Sequence, residues 1–395
     1  MSSGRYFAAS LLAACLFLAW GCAVRSPDRG AAAHSGPHAP VLPDAEARAL
    51  CADLSPSAQG LPSWRVLAPG VKVLAAYAGK KPADGPAFVR DGLVLTWGDV
   101  ARASAAFLAL LPRLDADPGL LAERFVLIPL GGPTLITGYY FPKLDASLTP
   151  APGYGHPLYA PPPGPLRALT REDIDVNGGL AGKGLEIAWA KDPVDLFFLH
   201  IQGSGILALP DGRTVYAAYA GGNGARYRAI GRIMIADGLF EPQEKSMQRI
   251  KKALRERPER IGRYLPKNPR YAYFRITDQP PAGALGAPLV ALSGAASDRT
   301  FAPLGGLLLY DARLPGPDGG SERTRGLALI QDSGTMRGNH VDLFCGEGDE
   351  AAYRAGRMKG RGNVYLLALR EVLDGNVPPV SGSLAQGAPQ GRALP

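Results

Sequence analysis

The sequence contains few of the residues on which several common kinds of site depend. Its 395 residues include four cysteines and five histidines, and neither CxxC nor HExxH occurs, although these spacings are typical of metal and redox sites and of metalloproteases. GxSxG, the turn that presents the nucleophile of an α/β-hydrolase, is also missing. The glycine-rich segment 221–224 matches neither the P-loop nor GxGxxG. We therefore predict no bound metal and no cofactor.

Charge of one sign is not concentrated anywhere along the sequence. Lys and Arg number 43 against 35 Asp and Glu, which gives a net charge of +8, but no block of basic residues occurs. Such blocks are typical of segments that bind nucleic acid. We therefore predict a generally basic surface and no nucleic-acid partner.

The apolar run at the N-terminus is too short to predict a transmembrane helix. It spans 6–20, and its length of about 15 residues fits a secretory signal better than a spanning helix, which needs about 20. Cys22 follows a small residue at the end of the run, as in bacterial lipoprotein signals. Cys15 fits the usual signal letters better but lies inside the run, and plain secretion is the remaining alternative. We predict acylation at Cys22 and, because Ala23 is not the aspartate that retains lipoproteins in the inner membrane, an outer-membrane location.

Glycine and proline, by contrast, are abundant. The 50 glycines and 37 prolines favour turns and short strands over long helices. Apolar or extended patterns typical of strands occur at 61–77, 125–131, 135–141, 185–190, 195–209, 268–276 and, in the C-terminal part, 288–292, 305–312, 326–332, 341–346 and 363–369. Segments 99–111, 226–237, 242–255 and 348–358 are predicted to be helical, and 143–166 to be loop. Asp211-Gly212 is predicted to be the turn of a β-hairpin. Short β elements of this kind favour a mainly β fold with a closed barrel over an open parallel sheet.

Two aspartates in the C-terminal part are candidates for acid–base chemistry. Asp332 and Asp342 are ten residues apart, each beside an apolar run, with glycines in the turn between them. The sequence VDLFC alternates, so Asp342 and Phe344 share one face of a strand. A carboxyl group beside apolar neighbours tends to have a raised pKa, as a general acid acting on a glycosidic oxygen requires. Asp332 and Asp298 lie in turns, where an aspartate commonly accepts hydrogen bonds from backbone amides, so a structural role is an equal alternative for both.

Several further residues are suited to binding a sugar. His340 lies two positions before Asp342, and strand positions two apart share a face. Tyr139 and Tyr140 offer rings on which a sugar can stack. Amide and hydroxyl groups that match sugar hydroxyls are present at Gln202, Ser204 and Asn223. Each of these residue types is more often structural, so the prediction depends on their occurring together.

Together these residues resemble the membrane-bound lytic murein transglycosylase A (MltA) family, with its C-terminal three-aspartate (3D) domain. The matching blocks occur in the same order and include TGYYFP at 137–142, DLFFLHIQGSG at 195–205, YAGGNGARYRAIG at 219–231, SDR at 297–299, QDSG at 331–334, GNHVD at 338–342 and RAG at 354–356. The resemblance extends from 135 to 369 and, more weakly, back to 61.

The resemblance implies a mainly β fold, with a double-psi β-barrel domain, a second β-rich domain inserted into it, and a groove between the two. Applied to this sequence, it predicts a series of segments in chain order. These are a lipoprotein signal peptide (1–22), a flexible tether (23–45), the N-terminal part of the barrel domain (46–142), the inserted domain (143–283), the three-aspartate barrel segment (284–372) and a disordered tail (373–395).

The resemblance also implies a reaction. It predicts cleavage of the β-1,4 bond between N-acetylmuramic acid and N-acetylglucosamine in peptidoglycan without water, with formation of a 1,6-anhydro ring. Asp342 would act first as acid and then as base, Asp332 would lie beside it in the active site, and Asp298 would bind substrate or be structural. The turn after Asp332 is one residue shorter than is common in the family, which leaves the placement of Asp332 open.

The predicted partners follow from the same resemblance. They are peptidoglycan glycan strands, the membrane through the lipid anchor, and proteins of cell-wall synthesis or division, and the predicted location is the periplasm at the outer membrane. The main alternative is a peptidoglycan-binding lipoprotein without catalytic activity, and a lysozyme-like hydrolase is a third reading. A disulfide between Cys51 and Cys345 is open at this stage, since sequence does not give their separation.

Overall fold

The computed structural model describes residues 41–244, 246–316, 320–334 and 336–373. The predicted signal peptide with Cys22, nearly all of the tether and nearly all of the C-terminal tail lie outside these described residues. Within the described ranges, no helix is long and apolar enough to cross a membrane.

The helices are mostly short, as the glycine and proline content predicts. The α-helices are α1 (Asp44–Ala52), α2 (Ala68–Gly79), α3 (Trp97–Leu114), α4 (Leu120–Arg124), α5 (Pro193–Gln202), α6 (Ile230–Ala236), α7 (Met247–Arg255), α8 (Ile261–Tyr264), α9 (Gly348–Arg357) and α10 (Arg370–Leu373). Single turns of 3-10 or π helix lie at Pro56–Gln59, Trp64–Leu67, Gly164–Ala168, Glu172–Val176, Pro242–Glu244, Pro258–Arg260 and Leu265–Lys267.

The strands fall into a hairpin and two larger sheets. They are β1 (Pro86–Arg90), β2 (Leu93–Thr96), β3 (Phe125–Pro129), β4 (Thr134–Phe141), β5 (Lys143–Ser147), β6 (His156–Tyr159), β7 (Glu186–Ala190), β8 (Gly205–Ala208), β9 (Thr214–Gly222), β10 (Ala272–Thr277), β11 (Gly294–Ser297), β12 (Leu307–Pro315), β13 (Ser321–Asp332), β14 (His340–Glu347) and β15 (Lys359–Leu369).

Six strands close into a ring, the barrel. The order is β12-β13-β11-β14-β4-β15, a pairing between β12 and β15 closes the ring, and β3 adds to β15. β11 is parallel to β13 and antiparallel to β14, and β14 is parallel to β4. Apolar side chains from all six strands fill the interior, among them Ile136, Ala295, Leu308, Ile330, Leu343 and Leu366. The mainly β fold with a closed ring is confirmed.

Helices α1 to α4 cover part of the outer face of the barrel. Alternate residues of β12, β13 and β15 point outward and pack against these helices, with Trp64, Phe107 and Leu309 among the most buried. Helix α3 begins two residues earlier than predicted. Its first-turn Asp99 does not cap it alone, because Thr96 is the N-cap and the two side chains form a reciprocal capping box.

Segment 61–77, predicted to be extended, is mainly helical. Helix α2 starts at Ala68 with a proline in its first turn, where the missing amide hydrogen costs nothing. Val71, Leu74 and Ala78 are buried at helical spacing. The wrong prediction arose because β-branched and small residues dominate the segment locally, whereas the three-to-four-residue spacing of its buried positions is a helical signal.

The second sheet has the order β10-β9-β8-β5-β7-β6. β8 and β9 form the predicted hairpin, with its turn at Asp211-Gly212. Segment 143–166 was predicted to be loop, but it contains β5 and β6. Segment 288–292 was predicted to be a strand, but it contains no strand, and the next strand, β11, begins at Gly294.

Segment 195–209, predicted to be a strand, is mostly helix α5, followed by the short strand β8. Asp192 caps the helix by accepting from the amide of Val194, Pro193 occupies its first turn, and Gly203 ends it with a φ of 88°. Its residues pack into two apolar clusters, Leu196 and Leu199 into one and Phe197 and Phe198 into the other. A helix buried on more than one side has a continuous apolar run, which periodicity does not distinguish from a buried strand.

The second sheet contacts the barrel through a small apolar cluster. Tyr139, Phe141 and Phe344 on the outer face of the barrel pack with Ile206 and Tyr216 of the second sheet. The ring of Phe344 lies 5.4 Å from that of Tyr139 and 4.7 Å from that of Phe141, centroid to centroid. The cluster lies directly beside the carboxylates described next.

Candidate active site

Asp342 and Asp332 lie in one row across the barrel sheet. Ala296 of β11 is the register partner of Asp342 on one side and of Asp332 on the other. Thr137 of β4 is the partner of Asp342 on its far side. Cross-strand partners point to the same face of a sheet, so the row Asp332, Ala296, Asp342, Thr137 faces outward, away from the apolar interior.

A bulge puts Asp332 into this row. The register between β11 and β13 shifts so that Ala295 pairs with Ile330 and Ala296 with Asp332, passing over Gln331. A bulge of this kind re-aims the side chains that follow it, because side chains alternate along a strand. Without the shift Gln331, and not Asp332, would pair with Ala296.

Asp342 is half-buried and accepts a single described hydrogen bond. The hydroxyl of Thr137 donates to its Oδ1 at 2.7 Å. Burial raises the pKa of Asp342 to about 6, the bond from Thr137 opposes this rise, and the negative charge of Asp332 adds to it. A carboxyl group with this pKa holds a proton at weakly acidic pH and can release it, as an acid that later becomes a base must.

Asp332 has a different set of contacts. Its carboxylate accepts from the hydroxyl of Tyr139 at 2.9 Å and from the amides of Ser333 at 2.8 Å and Ala284 at 3.0 Å. Tyr139 reaches it although β14 and β11 lie between β4 and β13 in the sheet. Burial raises the pKa of Asp332 and the three hydrogen bonds oppose the rise.

Asp298 connects two loops. It follows β11 and accepts from the amide and hydroxyl of Thr300, both at 2.9 Å, and from the amide of Gly338 at 2.8 Å. These bonds lower its pKa, and the positive charge of Arg337 contributes further. The contacts fix the loop that precedes β14, so they support the structural alternative for Asp298, while its predicted contact with substrate stays a prediction.

His340 contacts this row of residues through the hydroxyl of Thr137. Its Nε2 lies 2.7 Å from the Thr137 hydroxyl oxygen, and burial lowers the pKa of the imidazole. Thr137 was not predicted to be a site residue, although its position two before Tyr139 on an alternating strand places both on the outer face. Its role depends on the parallel pairing of β4 with β14, which the sequence does not show.

The remaining predicted residues are engaged within the protein. The Tyr140 ring is buried in the barrel and its hydroxyl contacts Met247, and Tyr139 is nearly buried. Gln202 accepts from the amide of Tyr140, and Ser204 accepts from the amide of Tyr219. The Asn223 side chain makes four hydrogen bonds with the backbone of Leu169, Pro269, Ala225 and Tyr271. Their predicted contacts with a sugar stay predictions, and Asn223 clearly organises its own loop.

Among the described residues, no group of His, Cys, Asp and Glu side chains could hold a metal ion. Cys51 and Cys345 are free thiols in two different apolar clusters, one under the helices and one inside the barrel. Burial raises the pKa of each thiol to about 12. No disulfide joins them.

Comparison with known proteins finds two family models that match parts of this chain. Residues 135–275 match the family described as the MltA specific insert domain, and residues 293–368 match the 3D domain. The first range holds the second sheet with β4, and the second holds the five remaining strands of the barrel ring.

The chain is similar to named relatives over more than half of its length. The membrane-bound lytic murein transglycosylase A of Vibrio cholerae is 31% identical over 307 residues, which are 73% of this chain and 83% of the relative. The Escherichia coli K12 protein of the same name is 33% identical over 242 residues, 60% of this chain and 66% of the relative.

The fold is similar to those of solved structures. A lytic murein transglycosylase of Agrobacterium tumefaciens has a TM-score of 0.68 at 27% identity, over 81% of this chain and 98% of that one. Escherichia coli MltA with bound chitohexaose has a TM-score of 0.63 at 28% identity, over 69% and 84%. Fold, site and relatives thus define a peptidoglycan-cleaving lyase. The chain belongs to the membrane-bound lytic murein transglycosylase A family.

Proposed function

We propose that this lytic transglycosylase uses Asp342 as its only acid and base, and that it cleaves the β-1,4 bond between N-acetylmuramic acid and N-acetylglucosamine. The observation that carries the proposal is the state of the Asp342 carboxyl. Burial raises its pKa to about 6, Thr137 engages one oxygen, and no described donor contacts the other. The carboxyl can therefore deliver a proton at weakly acidic pH from its second oxygen.

The reaction proceeds without water. Asp342 gives its proton to the glycosidic oxygen, the bond from C1 of the muramic acid to that oxygen breaks, and the glucosamine leaves with a free hydroxyl. The C6 hydroxyl oxygen of the same muramic acid then forms a bond to C1, and its proton passes to the Asp342 carboxylate. The acid is regenerated and a 1,6-anhydro ring results. One carboxyl suffices because, as base, it takes up a proton that replaces the one it supplied as acid.

Asp332 serves this chemistry through its charge. An ordinary glycosidase pairs the acid with a second carboxylate that attacks C1 or activates water. The three hydrogen bonds to Asp332 and its position across Ala296 favour a fixed anion over a mobile nucleophile. A fixed anion here would stabilise positive charge that develops at C1 in the transition state.

The glycan is proposed to lie along the outer face of the barrel beside the aromatic cluster. Support comes from the position of Tyr139 and Phe344 next to the carboxylates and from the Escherichia coli relative, whose structure contains chitohexaose, an oligosaccharide. Sugar contacts from Asp298, His340, Gln202, Ser204 and Asn223 belong to this proposal. The domain division predicted from the sequence, with an insertion over 143–283, is likewise retained as a proposal.

We also propose that the protein is anchored to the outer membrane by acylation of Cys22 and acts in the periplasm. The relatives are named membrane-bound, which supports membrane association. Replacing Cys22→Ser and fractionating cells after labelling with a fatty acid tests the anchor. The proposal requires loss of the label and release of the protein from the membrane; retention of both would point to a different anchor.

The reaction is tested by digestion of purified peptidoglycan sacculi, with mass spectrometry of the released muropeptides. The wild-type protein is expected to release 1,6-anhydro products, and Asp342→Asn to release none while unfolding at an unchanged temperature. Asp145→Asn is a matched control, because that side chain is 61% exposed and pairs only weakly, at 3.9 Å, with Lys191.

Two other results would redirect the assignment. Binding to sacculi without release of any product would indicate a non-catalytic binding protein. Products with a free reducing end and no anhydro ring would indicate hydrolysis by water.

A further inference from the structure

The Thr137 hydroxyl lies between two groups of the site. Its oxygen is 2.7 Å from Oδ1 of Asp342 and 2.7 Å from Nε2 of His340. A threonine hydroxyl has one hydrogen to donate and two lone pairs to accept with. It can therefore donate to one of these neighbours and must accept from the other, so the two hydrogen bonds have a common direction.

Only one direction serves both steps of the reaction. If His340 donates from Nε2, then Thr137 donates to Oδ1 of Asp342, whether Asp342 is charged or neutral. In the opposite direction Asp342 would donate its own proton to Thr137, and that proton would point away from the second oxygen. The carboxylate formed after the first step accepts hydrogen bonds only, so the first direction is also the one it requires.

We propose that His340 is a positioning residue that, through Thr137, keeps the acidic proton of Asp342 on Oδ2, the oxygen free to reach substrate. This inference rests on the proposed function of Asp342. Because the hydrogen bonds keep their direction as Asp342 alternates between acid and carboxylate, the site needs no reorganisation during the reaction.

The surroundings of His340 support a neutral imidazole. Asp332 and Tyr139 face Asp342 from β13 and β4, and Cys345 lies further along β14. Lys359 of β15 is the register partner of Thr137 and its side chain is exposed. Burial opposes a charged His340, and a neutral imidazole has one nitrogen that donates and one that accepts.

The test compares conservative with disruptive substitutions at both positions of the full-length protein. Thr137→Val removes the donor and Thr137→Ser keeps it; His340→Leu removes the upstream donor, and His340→Gln places an amide donor near the position of Nε2. We expect kcat to fall about 10- to 100-fold in Thr137→Val and about 10-fold in His340→Leu, less than the roughly 100- to 1,000-fold loss for a donor that contacts the reacting atoms directly. KM should be unchanged, and the serine and glutamine variants should keep most activity.

The pH profile separates this role from a merely structural one. Loss of a hydrogen bond to the charged form raises the pKa of a carboxyl group. The alkaline limb of kcat/KM should therefore move upward by about one pH unit in Thr137→Val and by less in His340→Leu. Because the two residues act in series, the double variant should be little worse than Thr137→Val.

Several results would overturn the proposed role of His340 and Thr137. It would be contradicted if the alkaline limb of kcat/KM does not move in Thr137→Val. It would also be contradicted if Thr137→Ser loses as much activity as Thr137→Val, or if the losses of kcat in the two single variants add fully in the double variant. If a variant does not fold, the nitrogen-15 chemical shifts of His340 in the wild-type protein still show which ring nitrogen carries the proton. A neutral ring with its proton on Nδ1 contradicts the inference. Failure of the proposed function of Asp342 can be distinguished from failure of this inference, because Asp342→Asn would then still release anhydro products.

Discussion

The negative charge of Asp332 is expected to set the pH range in which Asp342 works. Asp332→Asn removes this charge but keeps the size of the side chain, and the amide oxygen can still accept from Tyr139. β11 separates the two aspartates, so their Cα atoms lie about 10 Å apart, two strand spacings of about 4.8 Å. Two unit charges about 10 Å apart interact by about 1.7 kcal/mol at an effective dielectric constant of about 20.

This interaction corresponds to about one pH unit, and solvent screening at the half-buried site reduces it to roughly half a unit to one unit. The direction follows from the mechanism. Asp342 must hold a proton to act as acid, and the charge of Asp332 raises its pKa. Removing that charge lowers the pKa of Asp342, so the alkaline limb of kcat/KM should move to lower pH, opposite to the shift expected for Thr137→Val.

Two measurements check the shift. Initial rates of anhydro-muropeptide release between about pH 4 and pH 8 give the limb of the profile, and carbon-13 NMR of the Asp342 carboxyl gives its pKa without substrate. Asp145→Asn, which also removes one negative charge but at an exposed position, should leave both unchanged. A limb that stays in place or moves upward in Asp332→Asn would refute the electrostatic role, even if the maximal rate falls.

Two predictions concern stability. A Cβ on Gly138 would lie 2.6 Å from the Cys345 sulfur, so Gly138→Ala should destabilise the barrel by about 1–3 kcal/mol. At Gly132 a Cβ meets nothing within 4 Å, so Gly132→Ala should leave the stability unchanged. Calorimetry of the two variants compares their unfolding. Asp298 has a lowered pKa, so its bond to Gly338 stabilises the fold above the unfolded pKa of about 3.9 and is lost as pH falls through the folded value. Asp298→Asn should therefore lower Tm at neutral pH and lower it less at about pH 3; an equal loss at both pH values would contradict this.

The alternation of VDLFC predicted the orientation of β14 correctly. Val341, Leu343 and Cys345 point into the barrel, and Asp342 and Phe344 point outward. This succeeded because one face of the strand is buried in an apolar interior, and a period of two then fixes the face of every side chain. The predicted hairpin at Asp211-Gly212 succeeded for a similar local reason, since the turn residues alone favour it.

Features that depend on distant segments could not be predicted. The spacing of ten positions from Asp332 to Asp342 suggested a strand, a turn and a return strand, but β11, from further back in the chain, lies between the two strands. The bulge at Gln331 and the pairing of Thr137 with Asp342 are likewise properties of register. Register between strands distant in sequence is set by how the whole barrel closes, and local residue patterns carry no information on it.

The three aspartates show how one residue type acquires different roles in one sheet. Asp298 and Asp332 each accept three described hydrogen bonds, yet the pKa of the first is lowered and that of the second is raised. The difference is burial, because desolvation outweighs the same number of donors only at Asp332. Asp342 is half-buried with a single described donor, which offsets only part of the rise, and its pKa reaches about 6. Adding donors to Asp342, more than moving it, would therefore be the effective way to abolish its function as an acid.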